Sequence, residues 1–342
     1  MRTALYQGDG QITVADRPAA APGPDDVRIA VAYTGICGTD LHVLHGTMDS
    51  RVTVPQAIGH EMSGTVESVG AHVSHLAAGQ RVTVMPLLWC GECAACTSGN
   101  THICQNLDFV GIETPGALQE LWTVPASIVI PIPDEVPLRD AALIEPLAVA
   151  CHDVARSRLA AGETAVVIGG GPIGQLISLV AQSTGARVIV IEPAGERRSF
   201  AAAHGAQVID PATEDAAALV EQATGGAGAD VVFEVAGAGV TALTSVDYAR
   251  VRGRVVIVAI HAQPTPMNLH RVFWRELEII GTRVYERNDF DRAIGLLAAG
   301  SIAAADIITD VLPLDHTLDA FHRLEGGDAM KLLIDVRKDA AS

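Results

Sequence analysis

Four of the chain's six cysteines, Cys90, Cys93, Cys96 and Cys104, fall in one short stretch with the spacing C-x2-C-x2-C-x7-C. Cysteines three residues apart seldom close unstrained disulfides with one another, but their thiolates converge readily on one tetrahedral ion. Four thiolates fill the coordination sphere of zinc and leave no position for water. A metal held this way is structural, pinning a lobe over residues 89–105 that has little apolar content of its own. An iron–sulfur cluster is the competing occupant of such a run.

A second pattern handles phosphate. Gly169-Gly170-Gly171-Pro172-Ile173-Gly174 reads G-x-G-x-x-G directly after the apolar run Ala165-Val166-Val167-Ile168. Gly169 permits a tight turn, Gly171 lets the backbone approach a pyrophosphate, and Gly174 lets helix and strand pack closely. Pro172 suits a first helical turn, where its missing N–H would have no partner, and the amides there, with that of Ile173, point at an anion. Glu192 ends the next apolar run, Val188-Ile189-Val190-Ile191. A carboxylate there accepts hydrogen bonds from the adenosine ribose and repels a 2′-phosphate, which favours NAD over NADP. Arg197 and Arg198 count the other way, because an arginine accommodates that phosphate; a solvated helix face is their plainer role.

Ligand-type side chains recur in three further segments, Cys37-Gly38-Thr39-Asp40-Leu41-His42, Gly59-His60-Glu61 and Glu145-Pro146. Taken singly these are ordinary, since a lone buried cysteine is usually core and a lone histidine a satisfied polar residue.

The elements that must position these residues are of two kinds. Residues 27–33 alternate Val27, Ile29 and Val31 against Arg28, Ala30 and Ala32, a half-buried strand pattern. Further strand runs at 64–69 and 80–85, punctuated by glycine and proline as far as Pro131-Ile132-Pro133, predict a mostly β first part, a glycine-rich barrel. From 138 to 159 the chain turns alanine-rich and helical. Beyond it, strands are expected at 165–168, 188–191, 207–209, 230–235 and 254–260, with a sixth at 278–284. Their short Val/Ile runs lack alternation, as in parallel strands covered on both faces, and six of them with helical crossovers describe a doubly wound nucleotide fold. A helix at 290–299 and a strand at 332–336 are expected to return to the first domain. The 342 residues suit two domains.

Composition narrows the function. Lys plus Arg number 23 and Asp plus Glu 40, a net charge of −17, so a phosphate backbone would be repelled and nucleic acid is not the expected partner. At 49% hydrophobic and 18% charged residues the chain is not intrinsically disordered. The longest uncharged run, 164–186, contains the fingerprint glycines, so it reads as a strand turning into a helix and no membrane span is expected. The first residues lack the apolar stretch of an export signal, which predicts a cytoplasmic protein with reduced thiols.

Together, the four-cysteine lobe, the glycine fingerprint and the Cys37, His60 and Glu145 segments resemble the zinc-containing medium-chain alcohol and polyol dehydrogenases, above all the branch of sorbitol, threonine and butanediol dehydrogenases. The resemblance runs in order through almost the whole chain. It implies an α/β protein with a GroES-like, β-rich catalytic domain over 1–148 and 286–342 and a Rossmann nucleotide domain with a doubly wound parallel sheet over 149–285. It also implies two zinc ions per chain, one structural on the four cysteines and one catalytic. Cys37 and His60 correspond to catalytic zinc ligands, with Glu61 or Glu145 as the acidic third. Adjacent side chains usually diverge, so ligation by both His60 and Glu61 needs an unusual local backbone. Asp40 is expected to orient the His60 imidazole.

Zinc is a Lewis acid that lowers the pKa of an alcohol, after which the carbon gives hydride to the nicotinamide. By the resemblance, Thr39 is the first proton acceptor and His42 the terminal base, with a cofactor ribose hydroxyl between them. Val258, Ala259 and Ile260 are expected near the nicotinamide ribose, and Thr282, Arg283 and Val284 beyond the last strand. The function expected is hydride transfer between a secondary alcohol or diol, or its ketone, and NAD. An NADP-linked reductase and a non-catalytic NAD sensor are the alternatives, and the relay set argues against the sensor. Val43 and Gly116-Ala117-Leu118 stand where many relatives carry an aromatic and Gly-Gly-Phe. With Leu87, Leu88, Trp89, Phe109 and Trp122 as pocket or ordinary core, they lean towards a small diol, hydroxyketone or secondary alcohol. A homo-oligomer, dimer or tetramer, is expected by the resemblance.

Overall fold

The computed structural model describes residues 1–327 and 329–337. It divides into two compact units, one of Met1–Glu145, Glu286–Gly300 and the chain from Ala305 on, the other of Pro146–Tyr285 with Ser301–Ala304. The first division falls inside helix Ile144–Ser157, directly after Glu145.

The second unit is built on six parallel strands. In chain order they are Thr164–Ile168, Arg187–Ile191, Gln207–Ile209, Ala229–Glu234, Ala249–Ile257 and Glu278–Gly281; in space they run third, second, first, fourth, fifth, sixth. The doubly wound sheet expected from the Val/Ile runs is therefore present. Val166, Ile189, Val232 and Val255 are all buried in one core with Ile209 and Val220. The strand order reverses between the first and fourth strands, and ligands bind such sheets in the crevice outside the carboxyl ends at that point. The glycine fingerprint occupies it, since it follows Ile168 and opens helix Pro172–Ser183.

Two strands end three residues earlier than the apolar pattern suggested. The expected 254–260 strand starts at Ala249 and stops at Ile257, because the N–H groups of Val258 and Ala259 both turn to donate to Glu234 O. The expected 278–284 strand stops at Gly281, and Val284 takes φ 51°, an uncommon conformation for a β-branched residue.

The first unit is β-rich. Strand Asp26–Gly35 is its centre, paired antiparallel with Glu61–Val69, with Leu121–Pro125 and with Lys331–Asp335. Arg81–Val84 and Val129–Pro131 extend the sheet beyond Glu61–Val69, and Ile308–Pro313, absent from the sequence expectations, closes the other side. Trp122, Tyr6, Ile29, Ile58 and Met62 fill its core. The helical stretch expected from 138 breaks into Leu138–Ala141 and Ile144–Ser157. Among the described residues, no helix is long and apolar enough to cross a membrane.

Candidate metal centres and nucleotide cradle

The four-cysteine lobe is shaped for a tetrahedral ion. Cys93 ends on the short helix Ala94–Thr97 that carries Cys96, and Cys104 comes back from the other side of the loop. Sγ–Sγ separations are 3.5 Å for Cys90–Cys104, 3.7 Å for Cys93–Cys104 and 4.0 Å for Cys90–Cys96. Zinc–thiolate bonds of about 2.3 Å in a regular tetrahedron place the sulfurs about 3.8 Å apart. Backbone N–H groups reinforce the anionic form, with Cys90 N and Asn106 N donating to Cys104 Sγ and Gln105 N to Cys93 Sγ. Such bonds from Cys96 and Gln105 bring the Cys93 thiol down to about 6, whereas burial and then its neighbour Cys93 push Cys96 up to about 12. The first thiolate forms easily and the last is resisted by those already present, a frustration that a dication relieves.

The inner centre draws on distant segments. Cys37 precedes helix Gly38–Leu44, which begins where strand Asp26–Gly35 ends. His60 and Glu61 stand at the start of Glu61–Val69, the neighbouring strand, with Gly35 opposite Glu61 in register. One ligand atom each from Cys37, His60 and Glu61 lies within 4.8 Å of the others. Gly59, at φ 93°, supplies the backbone turn that lets two adjacent side chains serve one point. His60 and Glu61 are 2% and 1% exposed. Glu145, also buried, lies outside the convergent trio.

Several polar atoms here are buried without a well-directed hydrogen bond, namely Asp40 Oδ1, His60 Nδ1 and Glu61 Oε2. Asp40 Oδ1 faces His60 Nδ1 at 3.4 Å while its Oδ2 accepts from Cys37 N at 2.9 Å, so one carboxylate touches both ligand segments. Burial pushes the His60 pKa down, but the charges of Asp40 and Cys37 reverse this and hold it well above the ordinary range. Buried acceptors left without a well-directed hydrogen bond are what a cation would satisfy, and soft thiolate, imidazole and carboxylate are the donors zinc takes. The residues fit the ion. Phe109 meets the His60 ring edge to face at 5.0 Å between centroids. Thr39 and His42 sit three apart on the helix that follows Cys37, with His42 exposed.

The pocket candidates divide. Phe109 borders the inner centre, Leu87 and Trp122 are wholly buried core, and Trp89 is exposed. Sequence reasoning missed Lys331, whose ammonium forms an ion pair with Glu61 Oε2. The signal was a single cation at the head of the apolar run Leu332-Leu333-Ile334.

In the nucleotide unit, the fingerprint turn is cramped by design. A Cβ at Gly174 would lie 1.9 Å from Gly169 O, so no other residue fits. Gly171 caps the helix, with Pro172 in its first turn. Glu192 is 4% exposed, and its two oxygens accept from Gly170 N at 2.6 Å and Ala194 N at 2.8 Å. Each oxygen keeps a lone pair for a ribose hydroxyl. Arg197 Nη1 stands over Gly171, 3.9 Å from where a Cβ would be, whereas Arg198 is spent on Asp210 at 2.8 Å and on the Glu192 carbonyl. Val258, Ala259 and Ile260 follow the fifth strand, with Ile260 exposed. Thr282 donates its hydroxyl to Asp153 Oδ1 at 2.8 Å, and Arg283 is exposed.

Residues 23–134 match the family model described as alcohol dehydrogenase GroES-like domain, and residues 172–299 that described as zinc-binding dehydrogenase. The chain is 50% identical to the 2-dehydro-3-deoxy-L-galactonate 5-dehydrogenase of Pseudoalteromonas atlantica, covering 98% of each. It is 34% identical to the (R,R)-butanediol dehydrogenase of Neisseria gonorrhoeae, over 98% of this chain and 99% of that one. A zinc-binding dehydrogenase from Sinorhizobium meliloti, solved with NADP, superposes with a TM-score of 0.92 at 32% identity, over 98% of each chain.

The thiolate geometry makes the outer lobe testable by itself. Cys93→Ser should release one zinc and cost about 3 kcal/mol or more, lowering the thermal midpoint by roughly 10 °C. Metal analysis beside a melting curve checks this, and an unchanged zinc content would contradict the assignment.

Proposed function

The chain belongs to the zinc-containing medium-chain alcohol and polyol dehydrogenase family, and from that premise we propose that it transfers hydride between a secondary alcohol, or its ketone, and NAD. The observation that carries this reading is the convergence of Cys37, His60 and Glu61 on one point beside a helix bearing Thr39 and His42. A zinc ion held by those side chains supplies Lewis acidity, which lowers the pKa of an alcohol towards neutrality. The chain's own groups handle the proton. Thr39 Oγ1 receives it, and His42, three residues on and so on the same helix face, delivers it to solvent. Asp40 fixes the orientation of Cys37 and His60 by touching both. One thiolate with one carboxylate matches the charge of a dication, so a neutral ketone is readily released.

Glu192 supports NAD over NADP. Its carboxylate is held in place by two backbone donors, and a fixed negative charge there repels a 2′-phosphate. Arg197 is the residue that moderates the preference. For the substrate, the relative at 50% identity is named for position 5 of 2-dehydro-3-deoxy-L-galactonate, and we extend that chemical class, a sugar-derived acid with a secondary alcohol, to this chain.

A homo-oligomer fits the surface of the nucleotide unit. Among the described residues, strand Glu278–Gly281 is an edge of the sheet without a further strand beside it, with Ile279, Phe273 and Trp274 41%, 74% and 67% exposed. An unpaired edge flanked by large apolar side chains suits pairing with the same edge of a second copy.

Three outcomes follow. Cys37→Ala should remove one zinc and lower kcat at least about a thousandfold while circular dichroism stays unchanged; near-normal turnover would defeat the reading. Glu192→Asn should move the ratio of kcat/KM for NAD over NADP towards NADP by about tenfold or more, and steady-state kinetics with both cofactors would reveal an unmoved ratio. Replacing Phe273 and Ile279 by Lys should yield monomers in sedimentation analysis; a wild-type monomer would refute the edge pairing.

A further inference from the structure

Lys331 opens strand Lys331–Asp335 with its side chain buried, the residue being 3% exposed. Antiparallel pairing of Leu333 with Gly35 carries it alongside Ile36 and Cys37. Its Nζ donates to Ile36 O at 3.0 Å and makes an ion pair with Glu61 Oε2. Glu61, in contact, and Glu145 supply negative charge that faces this ammonium. Gly35 packs against the same oxygen, since a Cβ there would lie 2.2 Å from Glu61 Oε2. Glu61 is thus boxed between a strand backbone and a cation.

We propose that Lys331 is a positioning residue for the inner metal: it retains one oxygen of Glu61 and so restrains that carboxylate from becoming a full, permanent ligand. The proposal rests on the reading of Cys37, His60 and Glu61 as a metal centre. A carboxylate oxygen shared between an ammonium and a dication serves neither at full strength, and a buried ammonium also raises the electrostatic cost of placing a dication nearby. The consequence is a metal held strongly enough to stay yet with a position that substrate and water can exchange. Glu145 lies close enough to stabilise the same ammonium, which makes it a second counter-ion of Lys331.

The sign of the effect separates this role from simple support of the fold. With the outer site filled, zinc affinity of the inner site is measured by chelator competition in wild type, Lys331→Met, Lys331→Gln and Lys331→Arg. Loss of the cation should tighten zinc by about tenfold or more in both neutral variants, whereas a merely structural lysine would loosen it when removed. Cobalt placed in the inner site should show weaker visible bands in the neutral variants, as an added oxygen donor brings, and Lys331→Arg should stay close to wild type. Equal or weaker zinc affinity with an unchanged cobalt spectrum overturns the proposal. A wild-type chain that takes up metal at the four thiolates alone overturns the underlying reading of the inner site instead.

Discussion

Asp40, Glu61 and Glu145 are each no more than 4% exposed, and Asp40 and Glu61 lie beside the partly buried Cys37. Removing that much negative charge from water is prohibitive unless cations come with it. Lys331 supplies part of the compensation from the chain itself. On the proposed reading a dication would complete it and would turn an electrostatic liability into a site able to polarise an oxygen. Helix Gly38–Leu44, the Gly59 turn and the pairing of strand Lys331–Asp335 with Asp26–Gly35 all serve to hold these charges together.

The outer lobe and the nucleotide unit solve the same problem in simpler ways. Four thiolates resist joint ionisation until a metal offsets their repulsion, so the lobe and its ion stabilise each other. The nucleotide unit handles its expected anion without side-chain charge, through helix amides that follow a turn too tight for any residue but glycine at 174. Glu192 then adds a fixed negative charge near that turn, pinned by Gly170 and Ala194. On the proposed reading its part is discrimination between cofactors and not affinity for phosphate.

These differences decide what could be read from the chain. The four cysteines and the glycine turn are local: their spacing is their geometry, and the flanking Val/Ile runs named the doubly wound sheet around them. The inner site is spread over residues 37, 60, 61, 145 and 331, and no spacing rule joins these. It became visible at the sequence level only through family resemblance, and Lys331 not at all, because a single lysine at the head of an apolar strand looks like a strand end. Strand Ile308–Pro313 escaped notice for a related reason, as Thr309 and Asp310 are exposed and its apolar pattern is broken. Strand ends at Ile257 and Gly281 were overrun because backbone turns end the ladders that the side chains alone would continue, Ala259 N doubling back onto Glu234 O and Val284 taking φ 51°.

On the proposed reading one buried metal, the inner one, makes the chemistry possible. Stepwise withdrawal of zinc with a chelator, with bound metal and initial rate of NADH formation followed on the same samples, tests it most directly. The rate should fall in proportion to loss of the inner ion and reach the background while the four-thiolate zinc remains in place. Full turnover in protein that has lost the inner ion would contradict the account.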